Sequence, residues 1–244
     1  MQRGPRRRHT GRVTDATRLL RDGSLELEGR LVDATNASFR CVVTLDGLTA
    51  ARCVYKPTAG ERPLDDFPDG TLARREVAAY LVSEATGWGI VPPTVLRDDG
   101  PYGPGMAQLW IEVDEDVDLG EMLRAGDPRL RRVAVFDAIV NNADRKGGHL
   151  LPAPGGLLHG VDHGVCFSTY PKLRTILWGW RGRPLDLEEL AALRTVRAAL
   201  DADLGAALRG LLARAEIRAT VGRIDRLLES GTFPFPSPGW PAVP

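Results

Sequence analysis

Asp137-Ala-Ile-Val-Asn141-Asn142-Ala-Asp144-Arg145-Lys146-Gly-Gly-His149 is the stretch on which the reading of this chain turns. A helical apolar pattern from Pro128 to Val140 runs into a loop, Asn141 to Gly148, dense in Asn, Asp, Arg and Lys. A turn needs an Asn or a Gly for left-handed backbone, but the charged groups extend well past that need. An Asp in such a loop can accept a hydroxyl proton or orient an attacking hydroxyl. Nearby Asn or His can hold a metal or brace the loop. Eighteen residues after Asp144, Gly160-Val-Asp162-His163-Gly164 sets a second carboxylate at the end of a strand-like run. It can ligate a hard divalent cation, or it can open a simple β-turn.

A third element lies upstream. Val54-Tyr55-Lys56-Pro57 ends a strand pattern, and Glu76 opens the next helical run. Of 32 basic residues only Lys56, Lys146 and Lys172 are lysine. That Arg, Ala and Gly bias points to a GC-rich genome, so a retained lysine suggests that the chemistry wants an ammonium. Lys56 can present a compact charge to phosphate oxygens, with Glu76 orienting it. Alone, the pair reads more readily as a surface Lys and a solvated helix-start Glu, because helix N-termini favour Glu.

The surrounding pattern orders these elements. Residues 1–12 read as a tail and Thr14–Asp22 as a short helix, capped by Thr14 or Asp15. Leu25, Leu27 and Leu31 alternate with polar residues, and Phe39–Leu45 and Leu48–Tyr55 flank Asp46-Gly47 as a hairpin. Leu72–Thr86 has helical spacing with Gly87 as its stop, and Met106–Val113 reads as a buried strand. Beyond Val117 the pattern is helical: Asp118–Ala125, Pro128–Val140, Leu185–Leu200, Ala202–Ala213 and Glu216–Leu228, broken by the strand-like Leu157–Gly164. The chain divides into a tail and short helix (1–23), a β-rich lobe (24–113), a helical lobe (114–232) and a Pro-rich tail (233–244). A cleft between two lobes is where a ligand sits.

Bulk properties exclude some classes. The formal net charge is zero, so no global field favours nucleic acid, a membrane or an acidic partner. The three cysteines, Cys41, Cys53 and Cys166, form no close pair and fit buried apolar positions in a reducing cytoplasm. No apolar run is long enough to span a bilayer, and Gly4-Pro5-Arg6-Arg7-Arg8-His9 lacks the apolar stretch of a signal peptide.

The ordered set (strand Lys, helix Glu, polar loop, later Asp) resembles kinases of the phosphatidylinositol 3-/4-kinase type, and also the HipA and Fam20 kinases, in an actinobacterial-type member. The resemblance covers roughly residues 25–200. It rests on Lys56, Glu76, Asp137…Asn142-Ala143-Asp144-Arg145 and Asp162. It implies an α+β, two-lobed protein-kinase-like fold with a small antiparallel β-rich N-lobe and a mainly helical C-lobe. It implies ATP with Mg²⁺ or Mn²⁺, and an unknown phosphoryl acceptor that is a protein, a small molecule or a lipid headgroup. Lys56 and Glu76 would grip the phosphates. Asp33–Ser38, with Asn36 and Ser38, would cover them. Gln108, Trp110 and Ile111 would form the adenine-facing hinge. Asp144 would be catalytic, Lys146 would neutralise the γ-phosphate, and Asp162 would be the principal metal ligand. Asn142 and Asp137 would support the loop.

Two departures stand out. Lys146 replaces the family's His, and His149 stands where a metal-binding Asn is usual. Imidazole suits transition metals better than Mg²⁺. A nucleotide-binding pseudokinase is therefore the alternative. A metal-dependent hydrolase using His149, His159, Asp162 and His163 is a third reading, though neighbours such as Asp162 and His163 would point apart in a strand. Cys166–Pro184, with Tyr170, Lys172, Arg174, Trp178, Trp180, Arg181 and Arg183, would face the acceptor or pack onto the helical lobe.

Overall fold

The computed structural model describes residues 16–32, 36–46 and 48–237, with residues 48–50 described by backbone alone. Proposed caps Thr14 and Asp15, and residues 33–35 of the covering loop, lie outside these.

Residues 16–22 are helical (α1). Five antiparallel strands follow: β1 (Ser24–Arg30), β2 (Phe39–Leu45), β3 (Leu48–Pro57), β4 (Thr94–Gly100) and β5 (Gly103–Leu109), in the order β1-β2-β3-β5-β4. Helix α2 (Leu72–Thr86) interrupts them. Strand period two sends alternate residues to opposite faces. Cys53 and Tyr55 therefore join Leu20, Cys41, Val43, Val95 and Ala107 in one small core. Lys56 points the other way, beside its ladder partner Met106, which packs with Ala73 and Val77 of α2. Gly105 permits this closeness: a Cβ there would lie 2.4 Å from the Lys56 carbonyl oxygen. α2 ends at Gly87, whose φ of 72° is the left-handed cap that glycine adopts without strain.

The second lobe is built round α4 (Pro128–Val140). Proline occupies its first turn, Asp127 caps Arg129 N–H, and Asn141 ends it at φ 54°. From Val133 to Val140 every residue is buried, the mark of a central helix. Around it pack α3 (Leu119–Ala125), a hairpin of β6 (Leu150–Ala153) and β7 (Leu157–Gly160), α5 (Leu187–Leu200), α6 (Asp203–Leu208) and α7 (Arg214–Ser230). Trp178 and Trp180 are each 8% exposed, so these tryptophans pack into the lobe.

Several boundaries differ from expectation. β5 stops at Leu109, not Val113, because the chain leaves the ladder to cross between lobes. α6 ends at Leu208 rather than reaching Ala213, with turns around Gly210 replacing the helix. β7 ends at Gly160, and its partner β6 was unforeseen because Pro152 and four residues of length hide it. Phe136 is fully buried and meets His163 edge-on at 5.5 Å. Phe136→Ala should lower unfolding free energy by about 3–5 kcal/mol in urea titration, the usual cost of an emptied aromatic site.

Candidate functional site

Three elements meet at one carboxylate. Lys56 Nζ at the end of β3 donates to Glu76 Oε1 at 2.6 Å and to Asp162 Oδ1 at 2.9 Å. Glu76 is the fifth residue of α2 rather than its first, and it is 1% exposed. Its second oxygen accepts the His163 backbone N–H at 2.8 Å. The solvated-surface reading of this pair is therefore wrong: one buried carboxylate joins a strand, a helix and the loop after β7. Burial by itself would lower the Lys56 pKa, but Glu76 and then Asp162 outweigh it and hold the ammonium above its ordinary range. The Lys56 charge in turn holds Asp162 well below the usual carboxylate range, against burial. Asp162 has φ 61°, a left-handed backbone that aims its side chain back at Lys56.

The polar loop faces the same place. His149 Nε2 lies 3.4 Å from Asp162 Oδ2. Burial lowers the His149 pKa, opposed by the carboxylates of Asp162 and Asp144, so the ring is held neutral. Its buried Nδ1 has no hydrogen-bond partner among the described residues. Asp162 Oδ2 and a neutral imidazole are a fitting but incomplete donor set for a divalent cation. Among the described residues no three His, Cys, Asp or Glu side chains converge as a metal cage. Asp144 donates its backbone N–H to Asn142 Oδ1 at 3.0 Å, and Lys146 Nζ donates to Asp144 Oδ2 at 2.6 Å.

Beneath the loop lies a group that the sequence reading passed over. Arg145 is fully buried and pairs with Asp137, also fully buried, at 2.9 Å. It donates as well to the Val161 carbonyl at 2.9 Å and meets His163 Nε2 at 2.6 Å. Asn142 and Thr175 complete the contacts of Asp137. Because Arg145 can only donate, His163 Nε2 accepts, which fixes the neutral tautomer protonated at Nδ1. Burial, reinforced by Arg145, holds the His163 pKa well below its ordinary value. Arg145 is adjacent to Asp144, so the run Asp-Arg carried the signal; its burial did not show. Asn141 was similarly missed. Its side chain donates to the Ser168 and Tyr170 carbonyls and accepts Lys172 N–H, pinning the segment after Asp162.

The remaining expected residues divide. Asn36 lines the small space of about 20 Å³ beside Lys56, Glu76 and Asp162. Ser38 is not on that lining; it is 2% exposed and turns its hydroxyl to the Asn36 carbonyl. Gln108 is buried with its amide on Thr94 Oγ1, and Trp110 N–H is taken by the Arg52 carbonyl. Trp110 and Ile111 are half-buried after β5. The four-ligand hydrolase set does not form: His163 turns into the core, and His159 Nδ1 lies 3.3 Å from the Ile90 carbonyl. A larger cleft of about 650 Å³, between α7 and residues 169–173, contains none of Lys56, Glu76, Asp144 and Asp162.

No protein-family model matches the chain. Protein Rv2133c of Mycobacterium tuberculosis is 46% identical over 267 residues, which span 93% of this chain and 95% of that protein. Solved structures resemble this chain at low identity, among them two kinases. The Golgi casein kinase with Mn/ADP bound gives a TM-score of 0.62 at 14% identity, over 91% of this chain and 75% of that one. Hydra Fam20 with sugar gives a TM-score of 0.56 at 12% identity, over 91% of this chain and 89% of that one. The fold is therefore protein-kinase-like, with an antiparallel β-rich N-lobe and a helical C-lobe.

Two outcomes follow from the buried pair and its histidine. Arg145→Met should cost about 3–5 kcal/mol in chemical denaturation, because it strands Asp137 without a partner. His163 takes up no second ring proton in the fold, whereas the unfolded chain's histidine takes one up below its ordinary value of 6.5. Stability should therefore fall as pH drops below about 6.5, and His163→Gln should flatten part of that slope in melting curves.

Proposed function

The chain belongs to the family of Protein Rv2133c of Mycobacterium tuberculosis, and we propose that it is an ATP- and divalent-metal-dependent phosphotransferase of the phosphatidylinositol 3-/4-kinase-like type. The observation that carries this is the convergence of Lys56, Glu76 and Asp162 at 2.6 and 2.9 Å from β3, α2 and the loop after β7. A buried carboxylate that orients an ammonium, beside a second carboxylate, is an arrangement for binding a phosphate chain with its cation.

Lys56 grips the α- and β-phosphates, and Glu76 keeps it from straying. Residues 36–38, tied to the Gly60 carbonyl and Arg62 N–H, cover the phosphates. The backbone of Trp110 and Ile111 forms the hinge edge to which adenine bonds, with Gln108 bracing it from behind on Thr94. Asp162 and His149 hold the cation, Mg²⁺ or Mn²⁺, which when bound offsets phosphate charge. Asp144 receives the proton of the acceptor hydroxyl as its oxygen bonds to the γ-phosphorus. The bond from phosphorus to the β-phosphate bridging oxygen breaks, and ADP leaves. Lys146, on Asp144 Oδ2, leaves Oδ1 for the acceptor and can reach towards the γ-phosphate.

The acceptor's class is not set by the family resemblance, since folds host many substrates. Among the described residues no helix is long and apolar enough to cross a membrane. The three buried free thiols support a reducing, cytoplasmic setting. One feature favours the pseudokinase alternative: His149 in place of an oxygen donor. The two separate on Asp144→Asn. A phosphotransferase should lose about 10²–10⁴ of its γ-³²P transfer or ATP turnover with ATP affinity kept. Turnover equal in wild type and variant, with ATP bound by both, would leave the pseudokinase.

A further inference from the structure

Adjacent residues of α2, Arg75 and Glu76, are each 1% exposed. They project about 100° apart round the helix, so they serve different neighbours. Glu76 serves Lys56 and the loop after β7. Arg75 reaches into the helical lobe. Its Nη1 donates to the Cys166 carbonyl at 2.7 Å and its Nη2 to Glu216 Oε1 at 2.5 Å. Its Nε reaches Thr71 Oγ1 at 3.3 Å, and its guanidinium lies over the Phe67 ring at 4.8 Å.

Both anchors are themselves fixed. Glu216 Oε2 accepts Ala213 N–H at the start of α7. Cys166 follows Asp162 by four residues, and its neighbour Phe167, at φ 68°, donates its N–H to the Val140 carbonyl at the end of α4. A turn of α2 that drew Glu76 away from Lys56 would also strip a buried guanidinium of a carboxylate and a carbonyl. Helix rotation is thereby opposed from both lobes at once.

We propose that Arg75 is a positioning residue: it locks α2 in the rotation that sets Glu76 on Lys56, and so holds the phosphate grip assembled. This rests on the nucleotide reading above. Arg75 touches neither nucleotide nor acceptor. Its effect passes through Lys56, which meets phosphates and not adenosine.

The test compares ATP with adenosine, each with Mn²⁺, by titration calorimetry on one set of proteins. The ratio of the two affinities reports the phosphate grip, and both ligands read only folded protein, so a loss of stability alone does not move it. Wild type should prefer ATP, and Lys56→Met should abolish the preference. Arg75→Met should cut the ratio about tenfold, as expected if the gripping state falls to about a tenth of the population, with adenosine affinity unchanged. Glu216→Gln should cut it less. If Arg75→Met does not fold, Glu216→Gln and Glu216→Ala decide in its place. A ratio kept by these folded variants while Lys56→Met loses it overturns the proposal and leaves the nucleotide reading intact. No ATP binding by wild type, or a preference that survives Lys56→Met, overturns the nucleotide reading and the positioning role with it.

Discussion

The carboxylate of Glu76 is the point on which the two lobes depend. One oxygen takes the Lys56 ammonium at 2.6 Å, and the other takes the backbone N–H of His163 at 2.8 Å. A buried carboxylate is tolerated only when its acceptor sites are filled. Here they are filled by a strand of one lobe and a loop of the other. The position of Asp162, one residue before His163, follows from that bond. The charged cluster is thus a consequence of satisfying one buried group.

The second constraint is the Arg145–Asp137 pair under the polar loop. Two fully buried ions stabilise little by themselves, since desolvation consumes most of their attraction. Their value lies in geometry. Arg145 also holds the Val161 carbonyl and the His163 ring, so the loop bearing Asp144 and the loop bearing Asp162 share one support. Strain gathers at the same place. Of the four non-glycine residues with positive φ among the described residues, Asn141, Asp162 and Phe167 border the site, at 54°, 61° and 68°. Such backbone costs on the order of 1–3 kcal/mol per residue and persists only where the surroundings impose it. Asn141 and Asp162 are held by side-chain contacts, and Phe167 by its N–H on Val140.

Much of this was legible in the residues. Periodicity and caps marked α2 and α4 to the residue, because their apolar faces, Gly87 and Pro128 all agree with one another. The order of Lys56, Glu76, Asp144 and Asp162 marked the cluster. What escaped were facts of burial. Nothing in Ala143-Asp-Arg-Lys distinguishes an exposed Lys146 from an Arg145 that is completely enclosed; only the path of the chain decides. Arg75 was hidden for the same reason, as one arginine in a chain that uses arginine almost everywhere. β6 was hidden by its length and its proline, which a short edge pairing tolerates. The direction of Ser38 and the occupied N–H of Trp110 depend on long-range contacts that no local pattern records.

The central claim is that the Lys56–Glu76–Asp162 cluster binds a metal-bridged nucleotide. The most direct measurement is the melting temperature of wild type and of Asp162→Ala with ATP, with and without Mg²⁺ or Mn²⁺. The account predicts a metal-dependent rise in wild type, worth about 2.7 kcal/mol at a hundred times the Kd, and its loss in Asp162→Ala. No rise with ATP under either metal, or an equal rise in Asp162→Ala, would contradict it.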